Sequence, residues 1–349
     1  MKFSIDVVRG IFARRRVSRR RMMVVAFFSV IAIGGFSLAA DQGDAIAQRN
    51  LGLLYYKGEG VVKDFGEAVK WLRRGAEQGD AQAQRVLGVC YEYGNGIEKN
   101  LAEAACWYRK AAEQGDAQAQ RFLGFCYYNG EGVAKDFGEA VKWSRKAAEQ
   151  GDAIAQRNLG VSYYKGEGVV KDFGEAVKWY RKAAEQGDAI AQLNLGVSYY
   201  NGEGVAKDFG EAVKWYRKAA EQGDDVAQCR LGLCYVKGEG VEKNLAESIK
   251  WFTKAANQDD GAAQLFLGVC YENGIGVKLN KDTAISWYEK AKLRGFSQQG
   301  TEGIERCQST AGRISNFLHN NVSDEAKQGL LEGVVTGLLK VLIEAGAGF

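Results

Sequence analysis

Two glycines in a recurring loop are the first residues whose spacing could support chemistry. They are Gly166 and Gly168 in "YYKGEGVVKDFGEAVKWY", and a glycine pair before a helix is typical of loops that hold phosphates. A dinucleotide-binding fingerprint needs a third glycine three residues after the second, and a β-strand before the loop. Lys171 occupies the third position, and the preceding "AQRNLGVSYY" has the pattern of a helix. The spacing therefore does not favour a nucleotide site.

Other residue types that carry catalysis are sparse. His319, in "NFLHNN", is the only histidine, which excludes paired-histidine metal clusters and a Ser-His-Asp triad within the repeated part of the chain. We interpret it as a solvated loop residue. Asp and Glu recur mainly where helix caps are expected. The sequence therefore predicts a protein that is not an enzyme, with no cofactor, no metal and no catalytic residue.

A fixed period of 36 residues organises most of the chain. Residues 151–186 and 187–222 differ at only three positions, and every tryptophan falls on the same step: Trp71, Trp107, Trp143, Trp179, Trp215, Trp251 and Trp287. A period of this size is typical of solenoids, in which each unit buries its apolar face by stacking on its neighbours.

Each unit contains the start and stop signals of two helices. Asp152 is placed to cap the first helix, and Gly166 lies just past its end. Asp172 caps the second helix, with Glu175 three residues later in a capping-box arrangement, and Gly187 follows its end. The loop that contains Gly166 and Gly168 is therefore predicted to end one helix and lead into the next.

A glycine lies in the middle of every first helix, where it costs about 1 kcal/mol relative to alanine. The seven are Gly52, Gly88, Gly124, Gly160, Gly196, Gly232 and Gly268. Their regular return predicts that the second helix of each unit approaches closely at this point.

The repeated residues resemble a known family. The shared pattern "A-x-x-W-x-x-K-A-A-x-x-G-D-A-x-A-Q-x-x-L-G-x-x-Y-x-x-G-x-G-V" is similar to the Sel-one-like repeat (SLR), a relative of the tetratricopeptide repeat, over about Ala39 to Arg294. The resemblance implies an all-α, right-handed superhelical solenoid of αα-hairpins that serves as an interaction scaffold. The chain departs from the family by having no proline after "GV".

Four segments follow from these patterns. They are a basic leader with a hydrophobic signal or anchor segment (1–40), seven repeats (41–294), a polar capping helix (295–312) and a glycine-rich amphipathic helix (313–349). The last helix docks on the final repeat or forms a homodimer interface. Its Gly329, Gly333 and Gly337 also fit a GxxxG membrane pattern, although charges interrupt the span.

The leader carries the net positive charge of the chain. Residues 1–21 hold eight basic residues and one acidic residue, for +7, whereas the whole chain carries +4, which leaves −3 for the remainder. The repeats therefore lack the basic charge of a nucleic-acid partner. Residues 22–40 are uncharged and fit either a cleaved secretory signal or a retained membrane span. Both predict export, with the repeats periplasmic, secreted, or anchored to the inner membrane on the side away from the cytoplasm.

The cysteines are predicted to be packing residues despite this exported setting. Cys90, Cys126, Cys234 and Cys270 share one helix position, and equivalent residues of stacked helices lie about 8 to 10 Å apart. A disulfide allows about 4.4 to 6.8 Å between Cα atoms. By the resemblance, the cysteine-rich SLR branch pairs cysteines where this chain has Ala and Gln, so the hydrolytic or β-lactam-binding activity of that branch is not favoured.

The candidate binding face lies on the first helices, which line the concave surface in tetratricopeptide relatives. Arginines in four successive repeats suit an acidic, extended protein or peptide, and neighbouring asparagines could hold its backbone. The candidate residues are Arg49, Arg85, Arg121, Arg157, Asn50, Asn158 and Asn194. An ordinary solvated face is the alternative. The predicted function is a non-enzymatic scaffold, with a cell-wall-directed hydrolase and a secreted host-interaction factor as competing hypotheses.

Overall fold

The structure of the protein is a computed structural model that describes residues 36–309. Several sequence-based predictions therefore fall outside the described residues. They concern the basic leader, most of the 22–40 segment, His319 and the C-terminal helix 313–349.

The described chain is built from helices and turns. A short helical stretch at 36–41 is followed by fifteen helices of 12 or 13 residues, and residues 36–309 contain no β-strand. The helices are Ala45–Lys57 (α1), Phe65–Glu77 (α2), Ala81–Tyr93 (α3), Leu101–Glu113 (α4), Ala117–Asn129 (α5), Phe137–Glu149 (α6), Ala153–Lys165 (α7), Phe173–Glu185 (α8), Ala189–Asn201 (α9), Phe209–Glu221 (α10), Asp225–Lys237 (α11), Leu245–Ala256 (α12), Gly261–Asn273 (α13), Lys281–Lys292 (α14) and Ser297–Gln308 (α15).

The chain divides into two compact units, one ending at Lys171 and the other beginning at Asp172. In the first unit, consecutive helices from α1 to α7 pack on one another, and in the second unit the same holds from α8 to α15. The structure therefore confirms the predicted all-α solenoid of repeated helix pairs. The handedness of its superhelix stays a prediction.

The predicted helix caps form. The Asp152 carboxylate accepts a hydrogen bond from the Ala155 amide at 2.8 Å, and Gly166 ends α7 in the left-handed region with φ of 77°. The Asp172 carboxylate likewise accepts from the Glu175 amide at 2.9 Å, and Glu175 itself pairs with Lys178 at 2.6 Å. These contacts account for the helix boundaries by local chemistry.

The second loop glycine is required by packing rather than by a ligand. A Cβ on Gly168 would lie 2.0 Å from the carbonyl oxygen of Phe137, the first residue of the preceding second helix. Only glycine allows two backbones to approach this closely. The loop therefore separates two helices, as predicted, and it also forms a contact between successive repeats.

The mid-helix glycines face the second helix of their own repeat. In the second unit, a Cβ on Gly196 would lie 2.6 Å from the Tyr216 ring, and in the first unit Gly88 has the same relation to Tyr108. Similar contacts occur at Gly52, Gly124, Gly232 and Gly268. The predicted close approach is therefore confirmed at these six positions.

Packing in the first unit begins before the expected boundary at residue 41. Ala40 is buried against α1 and α2, and its carbonyl oxygen accepts a hydrogen bond from the side-chain amide of Gln48 at 3.0 Å. The end of the apolar 22–40 segment is therefore part of the packed structure. None of the helices within 36–309 has the length and apolar character needed to cross a membrane.

Candidate binding groove on the first helices

The predicted arginines form ion pairs with the next repeat. Arg49 reaches the Asp80 carboxylate at 2.9 Å, and Arg121 reaches that of Asp152 at 3.1 Å. Arg85 pairs with Asp116 in the same way at 3.2 Å. Each of these aspartates also caps the first helix of its own repeat. The arginines therefore stabilise the junction between repeats, a role that the sequence analysis did not assign to them.

The predicted asparagines lie beside the arginines in two of three cases. The Asn50 side-chain oxygen accepts a hydrogen bond from Arg49 at 3.1 Å, and Arg157 lies 3.4 Å from that of Asn158. Asn194 is half-buried on α9 of the second unit. The arginine–asparagine contacts hold these polar side chains in place along the helix surface.

A groove of ≈ 470 Å³ opens on the first unit and includes three of the predicted residues. It runs across the first helices α3, α5 and α7, and its floor reaches α4 and α6. Arg121, Arg157 and Asn158 lie in its lining, whereas Arg49, Asn50 and Arg85 do not. Other lining residues are Tyr93, Phe122, Phe125, Ser144, Ile154 and Val161.

The groove lies beside Ser144, which is the smallest residue found at its position in the seven repeats. Ser144 on α6 lies where the other repeats carry a bulky side chain, namely Leu72, Tyr108, Tyr180, Tyr216, Phe252 and Tyr288. Five of these bulky side chains lie against the mid-helix glycine of their own repeat, namely Leu72, Tyr108, Tyr216, Phe252 and Tyr288. In the third repeat, the atoms nearest to a Cβ on Gly124 are the Ser144 hydroxyl at 2.8 Å and the backbone of Ala140 and Ser144. A serine is too small to fill the space of a ring, so the packed core opens here.

Three exposed apolar side chains surround this opening. Tyr93, Phe125 and Ile154 are 67%, 48% and 37% exposed, and all three line the groove. Exposed apolar side chains that line one cleft are typical of binding sites. Sequence reasoning missed Tyr93, Phe125 and Ser144, although Ser144 is visible as the odd residue of its register.

The charges of the groove are balanced. Arg121 and Arg157 are matched by Glu92 and Glu131, and Glu92 accepts a hydrogen bond from the Tyr108 hydroxyl. Burial, followed by this hydrogen bond, raises the pKa of Tyr108. A neutral, mostly apolar lining suits binding of an uncharged group.

The thiol in the groove has the properties of a packing residue. Burial raises the pKa of Cys126 to about 12, which leaves little thiolate near neutral pH. The seven cysteines are free thiols, and all except Cys106 are buried. The residues from 36 to 309 hold no group of three His, Cys, Asp or Glu side chains that could bind a metal ion.

The fold is an all-α repeat solenoid with a groove on its first unit. The Sel1 repeat model matches seven consecutive segments: 45–80, 81–116, 117–152, 153–188, 189–224, 225–260 and 261–296. The chain belongs to the Sel1 repeat family. Solenoids of this family are typically non-catalytic scaffolds, and they commonly bind other proteins.

Two solved structures are similar to the chain. A protective antigen of uropathogenic Escherichia coli strains with an SLR fold is 35% identical, with a TM-score of 0.75 over 88% of this chain and 68% of its own. A Sel1 repeat protein from Oxalobacter formigenes is 42% identical, with a TM-score of 0.56 over 61% of this chain and 86% of its own. No curated protein sequence matches the chain significantly.

Proposed function

We propose that the protein is a non-enzymatic scaffold that binds a segment of another protein in the groove of its first unit. The observation that carries this proposal is that the exposed side chains of Tyr93, Phe125 and Ile154 line the cleft beside Ser144. Exposed apolar residues cost solubility unless a partner covers them. Three successive first helices line the groove, which suits an extended segment lying across them.

The charges favour an uncharged or apolar segment over the acidic segment expected from the arginine row. Arg121 already shares its charge with Asp152 at 3.1 Å, and Glu92 and Glu131 add negative charge to the lining. An acidic segment would have to displace an existing ion pair, and the gain would be small because the pair is partly solvated. The arginines then act on binding by holding the first helices in register.

A photo-crosslinking experiment tests the proposed binding face. We would place p-benzoylphenylalanine at Phe125 in the groove and, as the matched control, at Val62, which is 66% exposed in the loop between α1 and α2. We expect a discrete crosslinked partner from Phe125 and none from Val62. Equal crosslinking at both positions, or none at Phe125, would contradict binding in the groove.

We also propose that the repeats act outside the cytoplasm. The basic leader before the apolar segment 22–40 supports export, and a relative 35% identical to the chain is described as a protective antigen. Phe36 and Ala39 pack against the cluster that Ala40 forms with α1 and α2, so a retained anchor would preserve contacts that cleavage after Ala39 would remove. An alkaline phosphatase fusion after residue 312 should be active only if the repeats are exported, and an inactive fusion made in normal amounts would contradict export.

A further inference from the structure

We propose that the groove binds an aromatic side chain, a phenylalanine or tyrosine ring of the partner, in the space beside Ser144. This inference rests on the proposed function and specifies the chemistry of the segment that the scaffold recognises. The guest ring would take the place that a side chain of the protein itself fills in the neighbouring repeats.

Two nearly identical helices show which group is missing. Helix α6, "FGEAVKWSRKAAE", and helix α10, "FGEAVKWYRKAAE", differ only by Ser144 in place of Tyr216. In the second unit, the Tyr216 ring is buried and lies over Gly196. In the first unit, Gly124 is kept bare in the same way, but the residue facing it ends at a hydroxyl 2.8 Å from its Cβ site. The space beside Ser144 therefore corresponds to a phenol ring.

A residue that lines this space, Asn158, occupies a position that contacts an aromatic ring in other repeats. The Tyr108 ring stacks on Phe122, fourteen residues later, with the centroids 5.1 Å apart. Phe252 and Phe266, at the same spacing, stack at 4.0 Å. The residue fourteen positions after Ser144 is Asn158, which lines the groove. A guest ring beside Ser144 would therefore lie next to Asn158, with Phe122 and Phe125 elsewhere in the lining.

The other properties of the groove agree with an aromatic guest. Its lining carries as many arginines as glutamates, so a charged guest gains little there. Its volume of ≈ 470 Å³ exceeds that of one ring, so the groove can also accept residues that flank the ring. The adjacent exposed rings of Tyr93 and Phe125 would cover the flanking residues.

The test uses the isolated side chains as probes. The full chain is titrated with p-cresol and toluene, which are the side chains of tyrosine and phenylalanine, and with 4-methylcyclohexanol as the saturated analogue, with binding followed by ligand-observed NMR. We expect the two aromatic probes to bind, and the saturated analogue to bind at least threefold more weakly. Absence of binding by both aromatic probes, or equal binding of the saturated analogue, would overturn the inference.

A matched pair of variants locates the site. Ser144→Tyr restores the ring found in five of the other six repeats. It should weaken p-cresol binding at least tenfold, with a melting temperature equal to or above that of the wild type. Ser144→Ala removes only the hydroxyl and should change binding less than threefold. Unchanged p-cresol binding to a folded Ser144→Tyr variant would place the probe elsewhere and overturn the assignment.

The two proposals can fail separately. If Phe125 crosslinks a partner but neither aromatic probe binds, the scaffold function stands and the aromatic inference fails. If the probes bind at Ser144 but Phe125 crosslinks no partner, the cleft accepts rings and the proposed function fails. A partner that crosslinks equally to wild-type and Ser144→Tyr chains would show that its segment does not insert a ring.

Discussion

The third and fifth repeats use almost the same second helix and build different surfaces with it. Helix α10 presents Tyr216 to Gly196 and the core is filled, whereas α6 presents Ser144 to Gly124 and a groove opens. Caps, tryptophan and the alanines near the helix end are the same in both. A repeat protein can therefore open a groove by deleting one ring from its core, because stacking on both sides still holds the helices in place.

The largest effect is expected from removing the buried ring of Tyr216 in the fifth repeat. Tyr216→Ser makes α10 identical to α6, and the loss of a buried ring should lower the free energy of unfolding by about 3 to 5 kcal/mol. Urea-induced unfolding measures the change. Tyr216→Phe is the control: the Tyr216 hydroxyl is buried without a hydrogen-bond partner among the described residues, so its removal should cost little. A loss below about 1 kcal/mol for Tyr216→Ser would mean that the ring does not fill the core.

A smaller effect is expected at the paired glycines. In Gly196→Ala the new methyl group would lie 2.6 Å from the Tyr216 ring, whereas in Gly124→Ala its close side-chain neighbour is the Ser144 hydroxyl, which can rotate away. Overpacking typically costs about 1 to 3 kcal/mol, and alanine recovers about 1 kcal/mol of helix propensity.

We therefore expect Gly196→Ala to destabilise the chain and Gly124→Ala to leave its stability unchanged or raise it. Thermal unfolding of both variants, followed by circular dichroism, measures the two effects. Equal losses at the two positions would show that the ring and the serine constrain their glycines equally.

The smallest effect is expected where the two repeats differ in charge. Arg121 of the third repeat pairs with Asp152, and the fifth repeat has Leu193 at the same position. Because the pair is only partly exposed, Arg121→Leu should cost about 1 kcal/mol at low salt and less in 1 M NaCl.

A double-mutant cycle isolates this ion pair. Asp152→Asn is the matched second change, because asparagine keeps the helix cap while it removes the charge. Denaturation midpoints of the four chains give the coupling energy between residues 121 and 152. A coupling energy of zero would show that the pair does not stabilise the junction between the repeats.

The local features of the fold were predictable because each depends on residues close in sequence. Asp152 caps α7 through the amide of Ala155, three residues later, and Gly166 ends the same helix. The period of 36 residues then implies stacking, since a single helix pair cannot bury its apolar face. The bare mid-helix glycines were likewise interpretable, because an unfavourable residue that returns seven times requires a packing partner.

The binding groove was only partly predictable because it depends on what successive repeats place side by side. Arg121 and Asp152 are 31 residues apart, so their ion pair exists only when the helices stack. Tyr93, Phe125 and Ile154 belong to three different first helices, so only the packing of those helices brings them to one opening. Ser144 could be recognised in the sequence as an exception to its register, but its consequence required the structure: a missing ring becomes a cleft only where the neighbouring helices stay apart and leave its space open.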